Sequence, residues 1–210
     1  MSGPTALLRN EPVQARSTAR LSSLLDAAAA AIDDVGYERL TTAMVADRAG
    51  ASIGTVYRYF PDRIAVLESV ASRAIDRFTE RITSTLAERG HTDWWSTFDA
   101  LIDDAVGAFA HEPAFAAVRF GDVLDLRPRE SGRTGSSRVA AHIAPILVTR
   151  HGLPGGDELA FHLEVVFTLV DGLLARAFAF SSSGDGAYIS EARKAARSYL
   201  VSVYGEPTVG

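Results

Sequence analysis

A chain of 210 residues, 47% of them hydrophobic, is long enough for one or two domains with a sizeable core. It contains no cysteine, which excludes disulfides, thiolate metal sites and thiol redox sensing and makes a cytoplasmic location the default expectation. The net charge of -5 argues against a uniformly basic nucleic-acid binder, but residues 1–63 hold seven Arg against seven Asp or Glu, so the whole -5 falls on the remainder. An acidic body weakens non-specific attachment to nucleic acid and leaves a few placed arginines to hold phosphates. The first residues carry no basic-then-apolar progression of a signal peptide. The most apolar run, residues 165–180, is interrupted by Asp171 and Arg176, so no membrane span and no membrane partner is expected.

Residues 1–17, with Pro4, Pro12, Arg9 and Arg16 and little periodicity, read as a flexible arm. A first helix is predicted over 18–35, with Leu21, Leu24, Leu25, Ala28 and Ile32 on one stripe and Gly36 at its end. Tyr37 and Leu40 then anchor the chain before its most informative stretch, residues 41–67. Thr41 or Thr42 caps a short helix whose apolar face is Met44, Val45 and Ala49, and Gly50 stops it. Ser52 offers a hydroxyl to cap a second helix over 53–60, so about three residues join the pair, the spacing of a helix-turn-helix. Val56 and Phe60 point inward in that helix, while Ile53, Gly54, Tyr57 and Arg58 make an aromatic and basic outer face. Gly54 sacrifices about 1 kcal/mol of helix propensity against alanine, which makes sense where a backbone must come close to another molecule such as a duplex. Pro61 ends the helix and Asp62 caps a long one reaching to about residue 89, placing Arg63 in a first turn suited to a phosphate.

The ordered set Thr41-Thr42, Val45-Ala46, Ala49-Gly50, Ser52, Gly54-Thr55-Val56-Tyr57, Tyr59-Phe60 and Leu67 resembles the N-terminal domain of the TetR family of bacterial repressors. The resemblance covers residues 18–70, and Arg63 stands where many members carry lysine, which keeps the charge and adds bidentate reach to a phosphate. Carried over by position, it implies that Thr42, Ser52, Gly54, Tyr57, Tyr59 and Arg63 hold phosphates of double-stranded DNA while Ile53, Thr55 and Arg58 face bases. The domain organisation expected is an arm over 1–17, a helix-turn-helix domain over 18–63 and a larger helical ligand-binding and dimerisation domain over 64–210, an all-α fold throughout.

The body reads as helices bounded by caps, prolines and glycines: from Asp93 to about 110, from Pro113 to about 124, and from Ser136 or Ser137 to about 151. Residues 125–135, polar and charged, read as a surface loop. Two more helices are predicted over 157–180 and 189–204. The first of these is apolar on nearly every side, and a helix apolar all round must be buried all round, partly against its own core and partly against a second copy. Val166, Val170, Leu173, Leu174, Ala195 and Tyr199 are the expected homodimer contacts, and the resemblance implies the same four-helix arrangement. Trp95, Phe98, Phe115 and Phe120, with Arg119 and His142 as polar contacts, have the mix of apolar and orienting groups of a pocket, but aromatics at helical spacing equally form ordinary core, and it is the resemblance that implies a small-molecule effector site there. Trp94 and Phe109 belong to the same aromatic cluster.

Two motifs invite other chemistry. Gly50-Ala51-Ser52-Ile53-Gly54 matches the G-x-S-x-G elbow of hydrolases, but an elbow needs a buried strand before its serine and here an amphipathic helix precedes it. The Gly132 to Ser137 segment has neither the lysine nor the strand of a phosphate loop. No two of His91, His111, His142, His151 and His162 stand three or four apart, so no local metal site is indicated. The expectation is therefore a dimeric DNA-binding regulator, most simply a repressor released from a palindromic operator by a hydrophobic or aromatic ligand, without enzyme activity, cofactor or metal. A regulator lacking an inducer and, more remotely, a serine hydrolase are its alternatives.

Overall fold

The computed structural model describes residues 11–88, 90, 92–112, 115 and 134–207. The elements formed by these residues are helical: α1 (Glu11–Val35), a 3-10 turn (Tyr37–Arg39), α2 (Thr42–Arg48), α3 (Ile53–Tyr59), α4 (Arg63–Glu88), α5 (Trp94–His111), α6 (Gly135–His151), α7 (Asp157–Phe178) and α8 (Gly186–Tyr204). The all-α expectation holds. The helix expected over 113–124, apart from Phe115, and the loop expected over 125–135, apart from Thr134 and Gly135, lie outside the described residues, as do residues 1–10.

The chain divides into two compact units, residues 1–70 and 71–210. In the first, α1 packs on α2 and α2 on α3 around Leu24, Ala28, Ile32, Leu40, Val45, Val56 and Phe60, all buried. Val66, Leu67 and Val70 of α4 are buried as well, and the division falls after them rather than at residue 63. Helix α1 begins at Glu11, seven residues before the start predicted, so residues 11–17 are helical and not an arm. Pro12 sits in the first turn, where its fixed φ suits the helix and its missing N–H has no partner to lose, and Gln14, Ala15 and Arg16 are good helix formers. Residues 14–19 are exposed, so they have no apolar stripe by which their helicity could be read.

In the second unit α7 packs on both α6 and α8, and α5 lies against α7. Its core runs from Ile75, Phe78, Ile82 and Leu86 of α4 through Phe98, Leu101 and Ile102 of α5 to Leu163, Val166, Val170 and Leu174 of α7 and Ala192, Ala196 and Leu200 of α8. Arg193 ties α8 to α5 by pairing with both Asp99 and Asp103. Asp93 makes the full capping box with Ser96 at the start of α5; Thr134, not Ser136 or Ser137, caps α6. Helix α8 starts three residues earlier than predicted because Asp185 accepts the Ala187 N–H at 2.9 Å. Helix α7 ends at Phe178, two residues short of the expectation.

Candidate nucleic-acid interface

Helices of seven residues have little stability of their own, so α2 and α3 depend on their ends and their packing. Thr41, extended at φ -128°, accepts the Met44 N–H at 3.2 Å and starts α2. At its other end Gly50 takes φ +56°, the Gly50 N–H reaches the Asp47 carbonyl at 3.2 Å and the Ala51 N–H reaches that of Ala46 at 2.9 Å. This is the Schellman closure, and a side chain at position 50 would strain it. Ser52 then caps α3: its Oγ accepts the Thr55 N–H at 3.1 Å and lies 2.9 Å from Thr55 Oγ1. The turn is thus fixed from both sides by local bonds.

Val56 of α3 and Phe60 just past its end are buried at 0% and 2% exposure, whereas Ile53 and Tyr57 are 44% and 52% exposed. Large apolar side chains left outward on one short helix need a reason. Gly54 lies between them, and a Cβ built on it would meet only Ser52 Oγ, at 3.9 Å. Nothing within the chain demands a glycine there. Thr42 Oγ1 donates to Tyr57 Oη at 3.4 Å, joining the start of α2 to the outer face of α3.

The far end of α3 carries a second polar group. Arg58 Nη2 donates to Tyr59 Oη at 3.3 Å, and its guanidinium carbon lies 5.2 Å from the Tyr59 ring centroid. Tyr59 Oη is also 3.2 Å from Ser17 Oγ on α1. The Ser17 hydrogen bond, followed by that of Arg58, holds the Tyr59 phenol below its ordinary pKa. Arg63 stands in the first turn of α4, which Asp62 opens by accepting the Ala65 N–H at 2.9 Å. Its side chain is not simply presented outward: Nη2 donates to the Tyr37 carbonyl at 3.3 Å and Nε is buried without a hydrogen-bond partner. Part of Arg63 therefore fastens the 3-10 turn to α4. Ser17, Arg16 and Arg20 were not foreseen as site residues, since their place beside Arg58 and Tyr59 depends on a contact 42 residues apart.

The body residues distribute less simply. Phe98, buried at 0%, stacks on Trp95 and on Phe167 with centroids 6.2 and 5.3 Å apart. Phe115 packs against Phe78 and Phe109. An apolar cavity lined by Phe78, Phe98, Leu101, Ile102, Ala105, Phe167 and Val170 has a volume of about 10 Å³, barely room for one water. His142 is elsewhere, with Nε2 2.8 Å from Thr83 Oγ1, and Arg119 and Phe120 lie outside the described residues. Of the expected dimer contacts, Val166, Val170 and Leu174 are 0%, 4% and 0% exposed within a single chain, so they are its own core. Leu173, Ala195 and Tyr199 are half-buried. The apolar surface left over on α7 and α8 is Phe161, Leu169 and Val203 instead.

Among the described residues no cluster of potential metal ligands occurs, and none of the helices is long and apolar enough to cross a membrane. Residues 24–70 match the profile described as bacterial regulatory proteins, tetR family, and residues 92–204 match that of the tetracyclin repressor-like C-terminal domain. The HTH-type transcriptional repressor KstR of Rhodococcus jostii (strain RHA1) is 39% identical over 62 residues, 30% of this chain and 29% of that protein. Its namesake from Mycolicibacterium smegmatis is 36% identical over 75 residues, 36% of each. The chain thus spans about a third of the length of these curated relatives. The crystal structure of a TetR-family transcriptional regulator from Streptomyces coelicolor superposes with a TM-score of 0.74 at 33% identity, covering 88% of this chain and 99% of that one.

Proposed function

The chain belongs to the TetR family of bacterial regulatory proteins, and from that membership and the outer face of α3 we propose that it is a dimeric, sequence-specific DNA-binding transcriptional regulator, acting as a repressor. The observation that carries the reading is the pairing of a doubly capped turn with exposed Ile53 and Tyr57 around Gly54. A recognition helix in a major groove needs such a face, with phosphate contacts from its flanks. Ile53 and the Thr55 methyl suit thymine methyl groups, and Thr42, Ser52, Tyr57, Tyr59 and the free edge of Arg63 suit phosphates. The serine-hydrolase alternative finds no support in Ser52, whose hydroxyl is engaged in capping α3.

Release would be a population shift driven by a hydrophobic effector in the body. Phe78 lines the apolar cavity and belongs to α4, the helix that also carries Arg63, so a ligand widening that cavity bears on the element leading to the reading head. Turning a 99:1 population around requires a preference of about 5.5 kcal/mol for the released state. A second reading is a regulator whose body only dimerises, and the small volume of the cavity among the described residues is compatible with it. Selection of bound sequences from a random duplex pool tests the main proposal. A twofold-symmetric consensus is expected, and a pool that shows no enrichment after repeated rounds overturns it.

A further inference from the structure

Many of the chain's arginines are taken up by partners. Arg48 pairs with Asp34, Arg138 with Asp76, Arg193 with Asp99 and Asp103, and Arg197 with Glu206, while Arg39 and Arg150 donate to the carbonyls of Val35 and Leu86. Among the described residues Arg16, Arg20 and Arg58 have no carboxylate partner. These three, with Ser17 and Tyr59, line one open recess of about 700 Å³.

The convergence has a local cause at each step. Arg16 and Arg20 are four residues apart on α1 and so share a face, where two like charges repel unless an anion lies between them. Arg58 is folded onto the Tyr59 ring, and its Nη2 bonds the same phenol oxygen that Ser17 of α1 contacts. The Ser17 and Arg58 hydrogen bonds, with the nearby charges of Arg58 and Arg20, hold the Tyr59 phenol below its ordinary pKa.

We propose that α1 is part of the DNA interface, with Arg16, Arg20 and Arg58, braced by the Ser17–Tyr59 bridge, forming a cradle for backbone phosphates beyond the C-terminal end of α3. The inference rests on the reading of the chain as a DNA-binding protein. A polymer backbone is the occupant rather than a free phosphate, because the recess is open and Arg58 and Tyr59, two of its lining residues, form the C-terminal end of α3, so that a strand read by Ile53 and Tyr57 can continue past it. Guanidinium forks suit phosphate oxygens in this setting. Arg58 then positions the duplex, and the base selection expected of it falls to Ile53 and Thr55.

The test is a titration of the full-length chain against its selected duplex, by fluorescence anisotropy, over a series of salt concentrations. For Arg16→Ala/Arg20→Ala the slope of log K against log salt should fall by about 1.8 per bound chain, so that the parent's advantage shrinks roughly twelve-fold between about 50 and 200 mM salt. The order of preference among duplexes should not change, in this variant or in Arg58→Ala, and Arg16→Lys/Arg20→Lys should keep the parental slope. A folded double variant, with the parent's circular dichroism and the parent's slope and affinity, overturns the proposal. So does a site that inorganic phosphate saturates, by thermal shift, without competing with the duplex. A parent chain that enriches no duplex sinks the DNA reading itself, a result unlike an unchanged slope.

Discussion

In the first turn of α3, Gly54 has open space where a side chain would go, its nearest neighbour for an added Cβ being Ser52 Oγ at 3.9 Å. Folding alone favours alanine there by about 1 kcal/mol. If a DNA backbone comes up against this turn, the same methyl group is in its way. Gly54→Ala should therefore raise the urea midpoint of the N-terminal unit while weakening operator binding at least ten-fold; equal or tighter binding would remove the argument for close approach. The type of most candidate-interface residues is legible in the sequence because each acts locally: Thr41 and Ser52 cap the helices that follow them, and Gly50 closes a turn of six residues from Ala46 to Ala51. What could not be read is direction. Arg58 turns onto Tyr59 because Ser17, 42 residues earlier, holds the phenol, and Arg63 spends one nitrogen on the Tyr37 carbonyl. Such choices are set by tertiary neighbours and leave no trace in spacing.

At the scale of the element, α7 illustrates what an apolar helix tells and withholds. Its composition requires burial on most sides, and it is enclosed by α5, α6 and α8 along Leu159, Leu163, Val166, Val170 and Leu174. Periodicity does not say which of several apolar stripes faces the chain's own core: Val166, Val170 and Leu174 are buried within the single chain, while Leu173 beside them is only half-buried. Phe161 at 60% exposure and Leu169 at 41% are what remains outside, with Gly172 exposed beyond them and Val203 of α8 at 37%. A helix face with large residues and an exposed glycine lets a second helix approach closely. Leu169→Glu should yield a folded chain that sediments as a monomer, since its charge stays in water. Val170→Glu should instead unfold the body, because an unpaired charge in a core costs several kcal/mol. A Leu169→Glu chain with the parent's sedimentation mass and melting temperature would exclude this face. The early start of α1 has no sequence signature for the complementary reason: residues 14–19 are exposed, so they form a helix without an apolar pattern to announce it.

For the whole molecule, the proposed regulation is a free-energy coupling between an effector in the body and a duplex at α3, and such a coupling is reciprocal. If an apolar ligand lowers affinity for the operator by a given factor, the operator lowers affinity for that ligand by the same factor. The cavity among Phe78, Phe98 and Phe167, about 10 Å³, is too small for a ligand of any size, so an effector proposed to act there would have to open it and separate rings now stacked at 5.3 Å. On that proposal the closed cavity would belong to the DNA-competent state, and the ligand would select a minor open one. Its apparent affinity is reduced by the rarity of that state, and enlarging the cavity should tighten it. Replacing Phe98 with leucine should accordingly strengthen binding of long-chain or aromatic apolar ligands, measured by calorimetry, while weakening operator binding in the absence of any ligand. Titrating the ligand in the presence and absence of saturating operator should give two affinities whose ratio equals that of the two operator affinities. Unequal ratios would mean that the ligand acts outside this equilibrium, and equal affinities with and without operator would leave the body as a dimerisation module alone.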